Sequence, residues 1–137
     1  MPKVFTSKSQ QIGEIGENVA VKFLVKLGFA IIERNYTKKW GEIDIVTEKD
    51  KKIHFIEVKS VQRDMSVFPF IGQGSNDYRA EDNMHPWKLK RLSRTIQTYL
   101  ISRKIPEDME WQLDLLVVYL DLKNKKAKVK VENDIVL

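Results

Sequence analysis

The chain has 137 residues, of which 42% are hydrophobic and 31% charged, so we expect residues 1–137 to form one globular domain. It contains no cysteine, which excludes disulfides, thiol catalysis and cysteine-ligated zinc. The net charge of +5 favours a polyanionic partner, and no apolar run reaches the ~20 residues that span a bilayer. The first residues lack the apolar segment of a secretory signal, so we expect a cytoplasmic protein without a membrane partner.

The first periodic segment covers residues 9–27 and predicts an amphipathic helix, because its apolar residues recur at steps of three and four. Ser7 or Ser9 can cap its start, and Gly28 stands where a left-handed C-terminal cap is favoured. Glu17 lies on the flank of the apolar stripe, so it is the acid of this helix that we expect to face other parts of the protein.

Three strands are predicted next, at residues 29–36, 41–48 and 53–59. The polar run KDKK separates the last two strands and predicts a hairpin with a four-residue loop. In this register Asp44 lies directly opposite Glu57 on one face, while Ile43 and Ile45 share the other face.

Residues 60–86 have no sustained period and contain many turn-forming residues, which predicts a long functional or mobile loop. A second amphipathic helix follows at residues 87–104. No Asp or Glu occurs between residues 83 and 106, whereas several cations do, including Lys88, Lys90, Arg91 and Arg94. Counterion release would favour phosphate contact by these cations, and a solvated helix face is the alternative.

Residues 111–122 are almost continuously apolar, as expected of a strand buried on both faces, and residues 127–133 alternate like an outer strand. Asp114, inside the buried strand, either caps a polar network or lies near a site. The element order α-β-β-β-α-β-β predicts an α/β fold with a mixed central β-sheet flanked by helices.

The opposed carboxylates of Asp44 and Glu57 suggest a metal site, because like charges placed opposite each other destabilise a sheet. Mg²⁺ relieves this repulsion, since it takes one or two carboxylates and completes its shell with water and phosphate oxygens. Lys59 follows Glu57 on the same face, where it can polarise water or balance phosphoryl charge, as metal-assisted phosphodiester hydrolysis requires. Alternatively, Glu57 and Lys59 are solvated charges, and Glu42 pairs with Lys59 for ~0.2–1 kcal/mol.

The stretch GEIGENVAVKFLVKLGFAIIERNY, followed by GEID and EVK, resembles the YraN family of small bacterial proteins. That family is grouped with the restriction-endonuclease-like nuclease superfamily, which includes the archaeal Holliday-junction resolvases. The resemblance covers nearly all of residues 12–59 and continues through KLKRLSRTIQTYL and LDLLVVYL. It implies a restriction-endonuclease-like fold. The chain departs from the family pattern by delaying the arginine after the EVK motif to Arg63.

The resemblance also implies a metal-dependent nuclease that acts on DNA, with branched or junction DNA as a candidate substrate. Asp44 and Glu57 would ligate Mg²⁺ or Mn²⁺, assisted by the backbone carbonyl of Val58. Lys59 would be the catalytic lysine, and Glu17 an accessory acid near the metal. Resolution of a symmetric junction would require a homodimer.

Two other kinds of protein fit the same residues. A non-catalytic nucleic-acid-binding or scaffold module would bind DNA or RNA in a salt-dependent way without a metal. A protein-interaction domain would use the 60–86 loop as its contact surface. Trp40 and Tyr78 are candidates for stacking on bases, although packing is the commoner fate of such residues.

Overall fold

The computed structural model describes residues 7–63 and 84–137. Most of the predicted 60–86 loop, with Tyr78, lies outside these described residues. The elements, in chain order, are α1 (Lys8–Lys26), β1 (Ala30–Lys38), β2 (Gly41–Lys49), β3 (Lys52–Gln62), α2 (Pro86–Ser102), β4 (Glu110–Asp121) and β5 (Lys126–Glu132). This order confirms the predicted α-β-β-β-α-β-β arrangement and the α/β class.

The five strands form one mixed sheet in the order β1-β2-β3-β4-β5. Only β3 and β4 run parallel, and the other neighbouring pairs are antiparallel. A parallel pair needs a crossover connection, and here α2 lies within it. The crossover therefore brings the basic helix α2 across the sheet that carries Asp44 and Glu57.

Two apolar cores lie on opposite faces of the sheet, and β4 contributes to both. Its residues Leu113, Leu115, Val117 and Tyr119 belong to the core that contains Leu92, Ile96 and Tyr99 of α2. The alternate residues Leu116, Val118 and Leu120 pack with Ala20 and Leu24 of α1. The two helices therefore flank the sheet, and β4 is buried on both faces, as its apolar sequence predicted.

The ends of α1 follow the signals in its sequence. Ser7, rather than Ser9, is the N-cap, and its side chain forms a capping box with Gln10. The chain leaves the helix through Gly28, whose φ of 92° lies in the left-handed region that glycine favours. These two caps set where α1 begins and ends.

The hairpin between β2 and β3 has the predicted register, with Glu48 opposite Ile53 and Val46 opposite Phe55. The predicted four-residue loop is wrong, because Lys49 pairs with Lys52 inside the ladder. The turn consists of Asp50 and Lys51, whose φ values of 52° and 63° suit a two-residue turn that matches the strand twist.

The alternation of β2 breaks at Asp44. Ile45 packs in the core under α1, whereas Ile43 packs with Val46 in the core under α2. The prediction that Ile43 and Ile45 share a face is therefore wrong. The β2–β3 ladder has its last backbone pair at Ile45 and Ile56, so Asp44 and Glu57 lie where the two strands begin to separate.

Candidate metal centre

Asp44 is held at the point of strand separation by a backbone amide. Its Oδ2 accepts a hydrogen bond of 2.8 Å from the N–H of Val58. The last backbone pair of the β2–β3 ladder is Ile45 and Ile56, and beyond it the Asp44 carboxylate supplies the acceptor for this N–H. The backbone of β3 therefore holds the Asp44 side chain in place.

The surroundings of Asp44 disfavour its negative charge. Burial raises the pKa of Asp44 well above its ordinary value, and the neighbouring carboxylate of Glu57 raises it further. The Val58 N–H lowers this pKa, while Glu42 and Glu17 add smaller upward contributions. Several described acids therefore oppose the charge on this carboxyl group, and a backbone donor favours it.

Glu57 is the second acid of the pair, and its side chain is 13% exposed. Burial raises the pKa of Glu57, and Lys88 opposes this effect. The Nζ of Lys88 lies 3.1 Å from Oε1 of Glu57. The charge of Glu57 in turn raises the pKa of Asp44, so the two carboxyl groups act on each other.

The donor set fits a hard divalent cation. Within residues 7–63 and 84–137, no group of three or more His, Cys, Asp and Glu side chains is arranged to hold a metal ion. A metal at Asp44 and Glu57 would therefore rest on two carboxylates and fill its other positions with a backbone carbonyl, water or phosphate. Mg²⁺ commonly binds in this way, and it would relieve the repulsion between the two partly buried acids.

Glu17 is buried, as predicted, and joins α1 to β1. Its Oε1 accepts hydrogen bonds from Nη2 of Arg34 at 2.9 Å, from Nε of Arg34 at 3.1 Å and from Nδ2 of Asn35 at 3.1 Å. Asn35 donates from a left-handed backbone position, with φ of 56°. The charge of Glu17 also raises the pKa of Asp44. The role of Glu17 as an accessory acid stays a prediction.

Two open cavities among the described residues meet at Asp44. The α2-side cavity, of about 440 Å³, includes Glu57 and Lys88 in its wall, and the α1-side cavity, of about 520 Å³, includes Glu17, Val58 and Lys59. Asp44 and Glu42 line both cavities. Asp44 is therefore the predicted site residue common to both sides. The alternation of side chains along β3 predicts that Glu57 and Lys59 lie on the same face, but the two residues border different cavities.

The predicted phosphate-binding cations of α2 have different surroundings. Lys90 is exposed, whereas Arg91 donates from Nε to the Trp40 carbonyl at 2.8 Å. The Arg94 guanidinium lies 4.2 Å from the centroid of the Trp40 ring. Arg91 and Arg94 therefore hold the β1–β2 turn against α2, and Trp40 has a packing role. Phosphate contact by Lys88, Lys90, Arg91 and Arg94 stays a prediction.

Sequence reasoning missed the residue that lets α2 approach the site. A Cβ built at Gly41 would collide with Oγ1 of Thr95 and come 3.3 Å from the Arg91 carbonyl. Glycine is thus required where the start of β2 meets α2, three residues before Asp44. The Glu57–Lys88 pair was missed too, since no local pattern joins a strand to a helix beyond a long aperiodic segment.

Asp114 caps a polar network, the first of its two predicted roles. It is buried and accepts hydrogen bonds from Nδ1 of His54 at 2.8 Å, Nε2 of Gln112 at 2.7 Å and the backbone N–H of Asp134 at 2.9 Å. The walls of the two cavities around Asp44 do not include it.

Neither described helix is long and apolar enough to cross a membrane.

Residues 16–118 match the profile of the uncharacterised protein family UPF0102. A UPF0102 protein of Campylobacter jejuni is 38% identical over 110 residues, which cover 80% of this chain and 85% of the relative. A UPF0102 protein of Sulfurovum sp. is 37% identical over 119 residues, which cover 86% of each chain. Among solved structures, Pyrococcus furiosus SfsA in complex with Ca²⁺ matches with a TM-score of 0.35 and 12% identity, over 93% of this chain and 64% of that one. That likeness is too distant to carry a functional argument.

Proposed function

The chain belongs to the uncharacterised protein family UPF0102, the YraN family that its sequence resembles, and we propose that it is a divalent-metal-dependent nuclease acting on DNA. The observation that carries the proposal is the partly buried pair of Asp44 and Glu57, in which Asp44 lines two open cavities and Glu57 lines one of them. Burial raises the pKa of both carboxyl groups, and the charge of Glu57 raises that of Asp44 further, which is the environment that a bound cation relieves.

The residues around the pair supply the other parts of phosphodiester hydrolysis. Asp44 and Glu57, assisted by the Val58 carbonyl, would hold Mg²⁺ or Mn²⁺, which supplies Lewis-acid stabilisation and an activated water when bound. Lys59 lines the α1-side cavity with Asp44, and its ammonium would balance the charge that develops on the phosphoryl group. Besides Lys88, the α2-side cavity has cations in its wall that suit a DNA backbone, namely Lys38, Lys39 and Arg91.

The test is cleavage of labelled linear, nicked and four-way DNA with Mg²⁺, Mn²⁺ or EDTA. We expect metal-dependent cleavage by the wild type, its loss in Asp44→Asn and Glu57→Gln, and its retention in Asp108→Asn. Asp108 is a matched control, because it is an exposed acid outside both cavity walls. Full activity in either site variant, or no cleavage of any substrate, would reject the proposal.

The second candidate is a non-catalytic nucleic-acid-binding module. The Glu57–Lys88 ion pair favours it, since this contact neutralises one of the two acids without any metal. Such a module would bind DNA with a steep salt dependence and give no Mn²⁺ isotherm. Calorimetry of the wild type and Asp44→Asn separates the candidates: an isotherm seen only in the wild type favours the nuclease.

A further inference from the structure

We propose that Lys88 is the internal counter-ion of the acid pair, and that Glu57 exchanges this ion pair for a divalent cation. The inference rests on the proposed function, because it requires Asp44 and Glu57 to be a metal site. Its basis is the 3.1 Å contact between Nζ of Lys88 and Oε1 of Glu57, in which the lysine side chain is 33% exposed and the glutamate side chain 13% exposed.

The origin of this contact lies in the composition of α2. The helix begins at Pro86, and its first turn contains no acidic residue. Residues 84–105 contain neither Asp nor Glu, so a cation of α2 can find an acidic partner only in another element. Lys88 stands in the first turn, next to β3, and its flexible stem allows its ammonium to reach Glu57.

The other predicted phosphate-binding residues of α2 do not share this position. Arg91 is bound to the Trp40 carbonyl, Arg94 covers the Trp40 ring, and Lys90 is exposed. Among these four residues, Lys88 is the one for which the described contacts include an ion pair with Glu57. It therefore differs from a general phosphate-binding cation.

The exchange follows from the position of the charges. An ammonium 3.1 Å from the carboxylate repels any second cation that approaches the same group. Lys88 should therefore lower the affinity of the site for a divalent cation. Without a metal, however, its loss would leave Glu57 as a buried charge without this partner, which destabilises the fold. Removal of Lys88 thus has two effects of opposite sign, whereas loss of a purely structural lysine would weaken both stability and metal binding.

The experiment compares the wild type with Lys88→Met, Lys88→Gln, Lys88→Arg and the matched control Lys90→Met. Thermal unfolding in EDTA measures the metal-free fold, and calorimetry with Mn²⁺ alone measures the site. We expect Lys88→Met to unfold at a lower temperature than the wild type and to bind Mn²⁺ about tenfold more tightly. Lys88→Gln keeps a hydrogen-bond donor to Glu57, so it provides the affinity measurement even if the methionine variant does not fold.

Lys88→Arg keeps the positive charge and should restore a Mn²⁺ affinity close to that of the wild type. Lys90→Met should match the wild type in both measurements, because Lys90 is exposed and carries the same charge two residues away. Unchanged or weaker Mn²⁺ binding by both neutral Lys88 variants, beside a normal wild-type isotherm, would overturn the exchange alone. Absence of Mn²⁺ binding in every protein would overturn the proposed metal site and the exchange with it.

Discussion

Asp44→Asn is expected to increase the free energy of unfolding of the metal-free protein. In the wild type, burial disfavours the charge on Asp44, the charges of Glu57, Glu42 and Glu17 add to this effect, and the Val58 N–H favours the charge. Asparagine has nearly the same shape, and its Oδ1 can still accept the 2.8 Å hydrogen bond from Val58. The substitution therefore removes the repulsion and keeps the backbone contact.

We expect Asp44→Asn to raise the free energy of unfolding by about 0.5–2 kcal/mol, which is the gain that a single stabilising substitution commonly gives. Asp114→Asn is the matched control, since Asp114 accepts three hydrogen bonds and the substitution removes the charge that strengthens them. Hydrogen bonds to charged groups contribute about 1.5–3 kcal/mol, so the same substitution should have the opposite sign at Asp114.

The pH dependence provides a second check on the Asp44→Asn prediction. The folded-state pKa of Asp44 is raised, so the folded protein binds this proton more tightly than the unfolded chain does. That contribution to stability is present at low pH and is lost as the pH rises through the raised pKa. The advantage of Asp44→Asn should therefore be largest at neutral and alkaline pH and should disappear below the ordinary pKa of an aspartate.

Urea denaturation in EDTA across this pH range measures both effects, and Mn²⁺ should reverse the order of the two proteins. At a free Mn²⁺ concentration one hundred times Kd, the wild type gains about 2.7 kcal/mol. Asp44→Asn should gain little, because it has lost a charged ligand. A metal-free Asp44→Asn protein that is less stable than the wild type at neutral pH would refute this account of the acid pair.

Three further predictions concern the site and its supports. Gly41→Ala should lower the free energy of unfolding by about 1–3 kcal/mol, because the added Cβ clashes with Thr95. Gly13→Ala should raise it by about 0.5–1 kcal/mol, because the space around the added Cβ is open and alanine favours the helix. Urea denaturation of both variants measures these changes. Arg34→Ala should cost about 1.5–3 kcal/mol because Glu17 loses two charged hydrogen bonds, and a double-mutant cycle with Glu17→Gln should show that the two effects are not additive. Lys59→Ala should abolish cleavage and keep the Mn²⁺ isotherm, so loss of both in a folded protein would show that Lys59 acts through the metal site rather than on substrate.

Much of the fold could be predicted because burial imposes simple periods. The pairing of Glu48 with Ile53 could be predicted because each strand buries one set of alternating side chains, and a shift of one residue would expose that set. The turn length could not be predicted in the same way, since Lys49 and Lys52 are polar whether they lie in a loop or in the last pair of a ladder. The Glu57–Lys88 contact depends on how α2 docks, and no periodic rule determines the docking of a helix that follows a long irregular segment.

Asp44 has two roles where β2 and β3 separate, so a substitution that tests one role has to preserve the other. Its carboxylate is a candidate metal ligand, and it is also the acceptor for the Val58 N–H. Asp44→Ala removes both at once, and a partly buried N–H without an acceptor costs about 1 kcal/mol or more. Loss of activity in Asp44→Ala would therefore not distinguish a displaced β3 from a missing metal ligand. Asp44→Asn keeps the acceptor and removes the charge, so we expect it to be more stable than Asp44→Ala and equally inactive; equal stability of the two variants in urea would show that the Val58 contact does not hold the strand.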